Sequence, residues 1–201
     1  MLCVVTATIS WPLRTDRLVI RPPRTSDLDQ LLPLRMHPET NRWYMVTTVD
    51  PDRYSRLLLD TAEDPRAWSF VAERDSRIVG TVSLDVNDGM GQGMLDDDKP
   101  LPLRRCEGQI GYMVHPDQHG QGYGTEMVRA VLDFAFVRLG LRRVVAGCFA
   151  DNIGSWRVME KVGMRREQHG VRDSWHADLG WVDGYTYALL AEEWLSASTD
   201  G

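Results

Sequence analysis

A glycine-rich segment between a strand-like run and a helix-like run constrains the fold of this chain more than any other feature. The segment is His119-Gly120-Gln121-Gly122-Tyr123-Gly124, with three glycines in five residues. Residues 109–114 before it have the composition of a strand, and residues 125–139 after it carry an apolar helical face. Such a turn leaves N–H groups free at the positive end of a helix, where phosphate groups bind. The pattern therefore predicts an anion site or, as the alternative, a glycine turn without a ligand.

The composition of the chain limits the number of domains and the kinds of binding partner that we expect. The 201 residues, 43% of them hydrophobic, are enough for one core, so we expect one domain. A net charge of −6 without a basic run predicts no nucleic-acid partner and no membrane partner, whereas a cationic amine fits the sign. Cys3, Cys106 and Cys148 lack metal-ligand spacing, so we predict no metal and read them as free thiols of a cytoplasmic protein.

The first half of the chain predicts short elements separated by prolines. A strand at residues 18–20 precedes a helix that begins near Leu28, in which Pro33 predicts a kink or an early end. Asp50 and Pro51 begin a second helix, and residues 68–73 and 78–86 read as an antiparallel pair. Residues 89–105 predict a long loop. Its Asp96-Asp97-Asp98 triplet is either a solvated loop tip or an attractor of a cationic substrate.

The second half predicts a strand, a helix and a strand in succession. Residues 107–114 lead into the glycine segment, and Gly140 ends the helix that follows it. Residues 143–149 are nearly all apolar, so we expect a parallel pair joined by a right-handed crossover. Asp151 or Asn152 caps a further helix that ends at Gly163, and two strands flank residues 170–184. We expect an N-terminal extension at residues 1–12, a domain at 13–190 and a tail at 191–201.

Two common phosphate-binding signatures do not describe the glycine segment. A Lys-Ser or Lys-Thr ending of the kind found in P-loops is missing, and Thr125 stands where the dinucleotide fingerprint requires its third glycine. The segment nevertheless shares one end of the predicted sheet with the helix start at Asn152, and ligands of open α/β sheets gather at that end.

Four motifs in order resemble one family. They are LRTDRLVIRPPRTSDLDQLLPL at residues 13–34, GQIGYMVHPDQHGQGYGTEMV at 108–128, ADNIGSWRVMEKVGM at 150–164 and WVDGYTYALL at 181–190. Together they resemble the GNAT N-acetyltransferases, and within them the branch that includes the RimJ/RimL ribosomal-protein alanine acetyltransferases. The resemblance implies an α/β GNAT fold, in which a mixed, twisted sheet with splayed central parallel strands is flanked by helices.

The resemblance also implies acetyl-CoA as cosubstrate. The backbone of Met113 and Val114 would bind the pantetheine and the thioester carbonyl, and Asn152 would bind the pantetheine arm besides acting as an N-cap. The loop would hold the pyrophosphate. Its residues are His119, Gly120, Gln121, Gly122, Tyr123, Gly124 and Thr125. The family loop usually begins with Arg or Gln, and here His119 occupies that position.

Two side chains are implied or proposed for catalysis. By resemblance, the Ser155 hydroxyl would protonate or stabilise the leaving CoA thiolate. Relatives carry a Glu base where this chain has Gln109, and glutamine cannot accept the proton that an ammonium must lose. Glu107 lies two residues earlier on the same face of the strand, so we propose it as a base acting through water. The alternative is a solvated glutamate at a strand start.

Aromatic and acidic residues near the predicted pocket suit an amine. They are Trp43, Tyr44, Trp175 and Asp183, with Trp181 and Tyr185 beside them, and ordinary packing is the alternative for each. The resulting hypothesis is direct acetyl transfer to a primary amine, which could be a protein N-terminus, a polyamine, an amino sugar or an antibiotic. The alternatives are a CoA-binding module without transferase activity and a phosphate-binding domain that does not use CoA. A homodimer is compatible with the prediction.

Overall fold

A computed structural model describes residues 10–60, 64, 66–92 and 100–197, which form one mixed eight-stranded sheet flanked by helices. The strands are β1 (Leu13–Arg14), β2 (Val19–Arg21), β3 (Ala67–Arg74), β4 (Arg77–Asn87), β5 (Glu107–Val114), β6 (Arg143–Phe149), β7 (Arg165–His176) and β8 (Gly180–Leu190). The helices are α1 (Leu28–Met36), α2 (Pro38–Arg42), α3 (Pro51–Asp60), α4 (Tyr123–Asp133), α5 (Ile153–Lys161) and α6 (Ala191–Ala197).

The strand order is β1-β2-β3-β4-β5-β6-β8-β7, and the β5–β6 pair is parallel while its neighbours are antiparallel. The parallel ladder stops after the Gln109–Val145 pair. Beyond it, β5 continues to Val114 and β6 to Phe149 without pairing to each other. The predicted parallel pair and its splayed end are therefore confirmed.

Two apolar clusters cover the two faces of the sheet. The larger one centres on the apolar face of α4, where Met127, Val128 and Val131 are fully buried, and it includes residues of α5. The smaller one joins Leu31 of α1 and Leu58 of α3 to the sheet. On β6, Val144 and Ala146 of one face are buried, whereas Val145 and Gly147 of the other face are half-buried and exposed, so the cover expected on both faces of this strand is only partial.

Two features of the first half differ from the sequence-based prediction. α1 continues through Pro33 to Met36, so the expected early end is wrong. Pro33 is the sixth residue of the helix, where it removes one backbone hydrogen bond but leaves the flanking turns intact. α2 was not predicted because it is short and polar; its Pro38 lies in the first turn, and the His37 side chain accepts from the Glu39 N–H.

The second half differs mainly in where elements begin and end. α4 begins at Tyr123 and passes into a π-helical turn at Phe134–Arg138. Gly170 and Gly184 pair with each other inside β7 and β8, so the region between them is a long hairpin. Its glycines and polar residues suggested a connection, but cross-strand hydrogen bonds override that local preference.

Both predicted boundaries of the domain cut through packed structure. Trp11 lies 5.4 Å, between ring centroids, from both Phe70 and Phe134. At the other end α6 buries Trp194, which lies 6.0 Å from the Phe136 ring. The core therefore begins before residue 13 and ends after residue 190.

Part of the predicted loop at residues 89–105 is described. The Gly89 N–H donates to the Leu103 carbonyl oxygen over 2.7 Å, which closes the base of the loop. Asp96-Asp97-Asp98 and Cys3 lie outside the described residues, so the two readings of the acidic triplet stand as predictions.

A buried ion pair ties β2 to the start of α1. Arg21 donates to both Asp27 carboxylate oxygens, at 2.7 and 2.8 Å, and also to Glu73 on β3. Burial opposes ionisation of Asp27, but hydrogen bonds from Arg21 and from the Arg24 N–H hold its pKa below the usual value. The pair therefore stabilises the fold above the normal pKa of an aspartate, and that contribution disappears as the pH falls through the lowered pKa.

We expect Asp27→Ala to lower the free energy of unfolding by ~3–5 kcal/mol, because it leaves a buried guanidinium without its main partner. Urea denaturation at pH 7 measures the change, and Asp29→Ala on the exposed face of α1 is the control. The difference from wild type should begin to shrink below about pH 4, where Asp27 of the unfolded chain takes up a proton, and should vanish only below the lowered pKa of the folded state. A change as small as that of the control would contradict this account.

Candidate functional site

The gap between β5 and β6 opens into two adjoining cavities. The helix-end cleft, of about 400 Å³, lies against the start of α4 and the glycine segment. The inner pocket, of about 760 Å³, lies between the sheet, α1 and α3. Five residues line both cavities: Trp43, Tyr44, Tyr112, Asn152 and Ser155. A molecule that fills the cleft can therefore reach a second molecule in the inner pocket.

The glycine segment presents free N–H groups to the helix-end cleft. Gly120 and Gly122 have φ angles of 75° and 84°, in the left-handed region that favours glycine. Gly122 is the N-cap of α4 and makes no side-chain cap, so the amides of the first turn have no intrahelical partner. Those amides and the helix dipole can hold an anion at this end.

Arg17, just before β2, braces the glycine segment from outside. Its Nη1 donates to the Gln121 carbonyl oxygen over 3.0 Å, and its guanidinium forms a 2.6 Å ion pair with Glu126. Burial disfavours the Glu126 carboxylate, yet hydrogen bonds from Thr15 and Arg17 keep its pKa below the usual value. The loop is thereby held in shape without occupying its own N–H groups.

The predicted loop residues do not all face the cleft. His119, Gly120, Gly122, Tyr123, Gly124 and Thr125 line it, while Gln121 does not. Gln121 is exposed and its Nε2 donates to the Asp117 carbonyl oxygen over 3.3 Å. The Tyr123 side chain is only 1% exposed and bonds to Arg74, so its backbone is the part available to a ligand.

Met113 and Val114 line the same cleft at the free end of β5. The Val114 carbonyl oxygen lies 3.1 Å from Nε2 of His119. Because a carbonyl can only accept, His119 carries its proton on Nε2 in this contact. The His119 side chain is thus directed back at the end of β5.

Asn152, Ser155 and Tyr112 meet where the two cavities join. The Asn152 side chain accepts from the Ser155 N–H over 3.2 Å and caps α5, as predicted. The Tyr112 hydroxyl donates to the Ser155 carbonyl oxygen over 2.8 Å and lies 3.1 Å from Ser155 Oγ. Burial raises the pKa of Tyr112, so its hydroxyl is protonated at neutral pH. The pair presents two hydroxyl groups at the mouth of the inner pocket.

Cys148 on β6 lines the inner pocket next to Ser155. Burial raises the pKa of its thiol to about 11, despite an opposing hydrogen bond with Ser155. The thiol is therefore neutral at physiological pH and is a poor nucleophile.

Glu107, the predicted base, is not brought to either cavity. It lies at the first position of β5, forms an ion pair with Arg142, and is absent from the lining of both cavities. Gln109 is exposed and likewise outside both linings. The prediction relied on strand alternation, which gives the correct face but not the distance along the strand.

The predicted substrate-binding residues fall into two groups, those that line the two cavities and those that do not. Trp43 and Tyr44 line both cavities, but Trp175 stacks edge-to-face on Trp181 at 5.5 Å and lines a separate pocket beside α2. Asp183 accepts from the Arg172 N–H and bonds to His169, which lowers its pKa and ties it to its own hairpin. Tyr185 packs against His169. Trp175 and Asp183 therefore do not reach the junction of the two cavities.

The sequence analysis missed three residues of the site: Arg35, Tyr112 and Cys148. Arg35 could have been found, because it stands four residues after Leu31 on the buried face of α1, where an apolar residue is expected. Tyr112 and Cys148 carry no local signal, since each reads as an ordinary apolar strand position.

The described residues contain neither a candidate metal cluster nor a membrane-spanning helix. No group of three or more His, Cys, Asp and Glu side chains there could hold a metal ion. None of the helices in that part of the chain is long and apolar enough to cross a membrane.

Comparison with known proteins identifies relatives of this arrangement. The Acetyltransferase (GNAT) domain family matches residues 17–165. An uncharacterized N-acetyltransferase of Bacillus subtilis, YnaD, is 40% identical over 86 residues, which is 43% of this chain and 50% of that protein. The chain thus spans half the length of this relative.

Two solved structures share the fold. Ribosomal-protein-S5-alanine acetyltransferase from Vibrio fischeri superimposes with a TM-score of 0.74 at 18% identity, covering 92% of this chain and 99% of that one. Spermidine N-acetyltransferase from Vibrio cholerae, in complex with CoA and spermine, gives 0.74 at 17% identity, covering 90% and 99%. At such identities the similarity concerns the fold alone.

Alkylation by iodoacetamide should test the environment of Cys148. With a pKa of about 11, roughly 0.1% of the thiol is ionised at pH 8, so it should react ~100-fold more slowly than a free cysteine. Its rate should rise about tenfold per pH unit up to pH 10. Peptide mass spectrometry follows this site, and the urea-unfolded protein is the control. Equal rates in folded and unfolded protein would contradict the assignment.

Proposed function

Because the chain belongs to the GNAT acetyltransferase family, we propose that it transfers the acetyl group of acetyl-CoA directly to a primary amine. The observation that carries this proposal is the junction at Ser155, where a cleft with an uncapped helix N-terminus meets a separate inner pocket. A cosubstrate and an acceptor need such adjoining cavities, because direct transfer requires the two reacting atoms to be brought together.

The proposed binding mode of acetyl-CoA uses the whole length of the helix-end cleft. The first amides of α4, at Tyr123, Gly124 and Thr125, hold the pyrophosphate. The pantetheine runs along the unpaired edge of β5, where the backbone of Met113 and Val114 and the side chain of Asn152 bind it. A backbone N–H directed at the thioester oxygen would stabilise the charge that develops there, typically by ~3 kcal/mol for each donor.

The proposed chemistry begins when the neutral amine attacks the thioester carbonyl carbon. A C–N bond forms, the C–S bond breaks, and the sulfur leaves as a thiolate. Ser155 Oγ donates a proton to that thiolate and is reprotonated through the Tyr112 hydroxyl, 3.1 Å away, which regains its own proton from water. The amine loses its proton to water, because Glu107 is tied to Arg142 outside both cavities.

The proposal also covers the extent of the catalytic unit, the branch of the family, the cellular location and the oligomeric state. Residues 13–190 form the proposed catalytic unit, extended at its ends by Trp11 and Trp194, which pack on its core. Motif resemblance supports a RimJ/RimL-like branch, and the free thiols of Cys106 and Cys148 support a cytoplasmic location. A homodimer stays a proposal.

Acetyl-CoA at 100 times its Kd should stabilise the protein by ~2.7 kcal/mol, which raises the Tm by roughly 5–10 °C for a chain of this size. Gly120→Ala should reduce that shift, because it puts a methyl group into the cleft. Gly140→Ala is the matched control: both glycines have positive φ and open space around them, and Gly140 lies outside the cleft. No shift in the wild type would contradict acetyl-CoA binding.

Ser155→Ala should lower kcat by ~100-fold with little change in acetyl-CoA affinity, because it removes the proton donor for the thiolate. Tyr112→Phe should lower kcat by about tenfold, since it leaves Ser155 in place but breaks the proposed relay. Tyr185→Phe, outside both cavities, is the control. Release of free CoA thiol over a panel of amines measures turnover. Binding of acetyl-CoA without turnover on any amine would favour the module without transferase activity.

A further inference from the structure

The inner pocket contains a buried arginine. Arg35 on α1 is only 3% exposed and lines the pocket together with Trp43, Tyr44 and Tyr54. Its Nη1 donates to the Asn41 side-chain oxygen and its Nη2 to the Val46 carbonyl oxygen. Its guanidinium lies 4.0 Å from the centroid of the Tyr44 ring. These contacts orient the guanidinium in the pocket wall, but all of them are made to neutral groups.

Among the described residues, no carboxylate forms an ion pair with Arg35. Arg21, which is comparably buried, differs in this respect because it is paired with both Asp27 and Glu73. Burying a cation without an anion is costly, so buried arginines are normally paired. An arginine that lines a cavity can meet this need with an anionic group of the ligand, and a carboxylate matches its planar donors.

The rest of the inner pocket is poorly suited to a polycation. Asp50 is the one carboxylate among its described lining residues; it is exposed and caps α3 by accepting from the Arg53 N–H. The sheet contributes hydroxyl groups from Ser69, Thr81 and Ser83. The remaining wall is largely apolar, and it includes Tyr54, Leu57, Leu58, Val82, Ile110, Phe149 and Met159.

Tyr54 adds a neutral donor next to Arg35. Burial raises the pKa of Tyr54 to about 12, with the charge of Arg35 acting in the opposite direction. Its hydroxyl is therefore protonated at neutral pH and can donate to an anion. A second ammonium, as in a polyamine, would instead be repelled by Arg35, and the exposed Asp50 is the one carboxylate in the described lining.

We propose that the acceptor is a primary amine that also carries a carboxylate and an apolar body, with Arg35 binding the carboxylate in the inner pocket. This inference rests on the acetyl transfer proposed above and specifies its acceptor as a hydrophobic amino acid or an equivalent zwitterion. The apolar wall takes the side chain, the junction at Ser155 takes the amine, and Arg35 selects against amines that lack an anion.

Matched pairs of amines test the proposal. L-phenylalanine and phenethylamine differ only by the carboxylate, as do L-tryptophan and tryptamine, and spermidine represents the polyamines. For each pair, kcat/KM with acetyl-CoA is measured for wild type, Arg35→Gln, Arg35→Lys and the control Arg56→Gln. Arg56 is exposed on α3 and lies outside the pocket.

The wild type should prefer the carboxylated member of each pair over its partner and over spermidine. Arg35→Gln should lose at least ~30-fold in kcat/KM on the amino acids but change by less than about threefold on the decarboxylated amines. Arg35→Lys keeps the charge and should retain part of the preference, which guards against a glutamine variant that fails to fold. Equal losses on both members of a pair would show that Arg35 only holds the segment from Asn41 to Val46 in place, and would overturn the proposal. A wild-type preference for spermidine would overturn it too.

A binding measurement distinguishes a failure of this proposal from a failure of the proposed acetyl transfer. Calorimetric titration of the same pairs into the CoA-saturated protein reports recognition whether or not acetyl transfer occurs. Preference for the carboxylated ligand that disappears in Arg35→Gln supports the carboxylate site even if no amine is acetylated. Absence of that preference in the wild type overturns it even if some other amine is acetylated.

Discussion

The parting of β5 and β6 is the constraint on which the rest of this structure depends. Backbone polar groups in a sheet interior are costly to leave unpaired, and strands normally satisfy one another along their whole length. Here the ladder stops after Gln109 and Val145, although both strands continue. The helix-end cleft and the inner pocket occupy the resulting gap, and Tyr112, Asn152 and Ser155 line it where they join.

The residues around the gap make their hydrogen bonds outside it or along its wall, so they do not fill it. Arg17 and Glu126 hold the glycine segment from the outer side, so the amides at the start of α4 remain free. The Ser155 carbonyl is bonded by Tyr112, and the Asn152 side chain caps α5. Two titratable side chains beside Ser155 carry no charge. Burial keeps Tyr112 and Cys148 neutral, so neither adds a charge near Ser155.

Prediction from sequence was accurate where the signal is local. The glycine segment, the helix cap at Asn152 and the apolar strand at residues 143–149 each depend on neighbours within a few positions, and all three are present in the fold. Accuracy was lost for residues whose role depends on distance along a strand or across the sheet. Glu107 was placed on the correct strand but at its far end, and Asp183 was expected at a pocket although it bonds to its own hairpin.

By itself, then, the amino-acid sequence determined the strand–helix–strand order of the second half, the parallel pair and the helix end that can hold an anion, because periodicity, glycine positions and capping residues act over one or two turns of chain. Tertiary structure alone decided which side chains meet. The pairing register sets where the strands part, and the packing of α1 and α3 on the sheet brings Arg35 and Tyr54 into the inner pocket with Ser155. These contacts join residues that are far apart in the chain, and no local sequence pattern gives the distance between such residues in space.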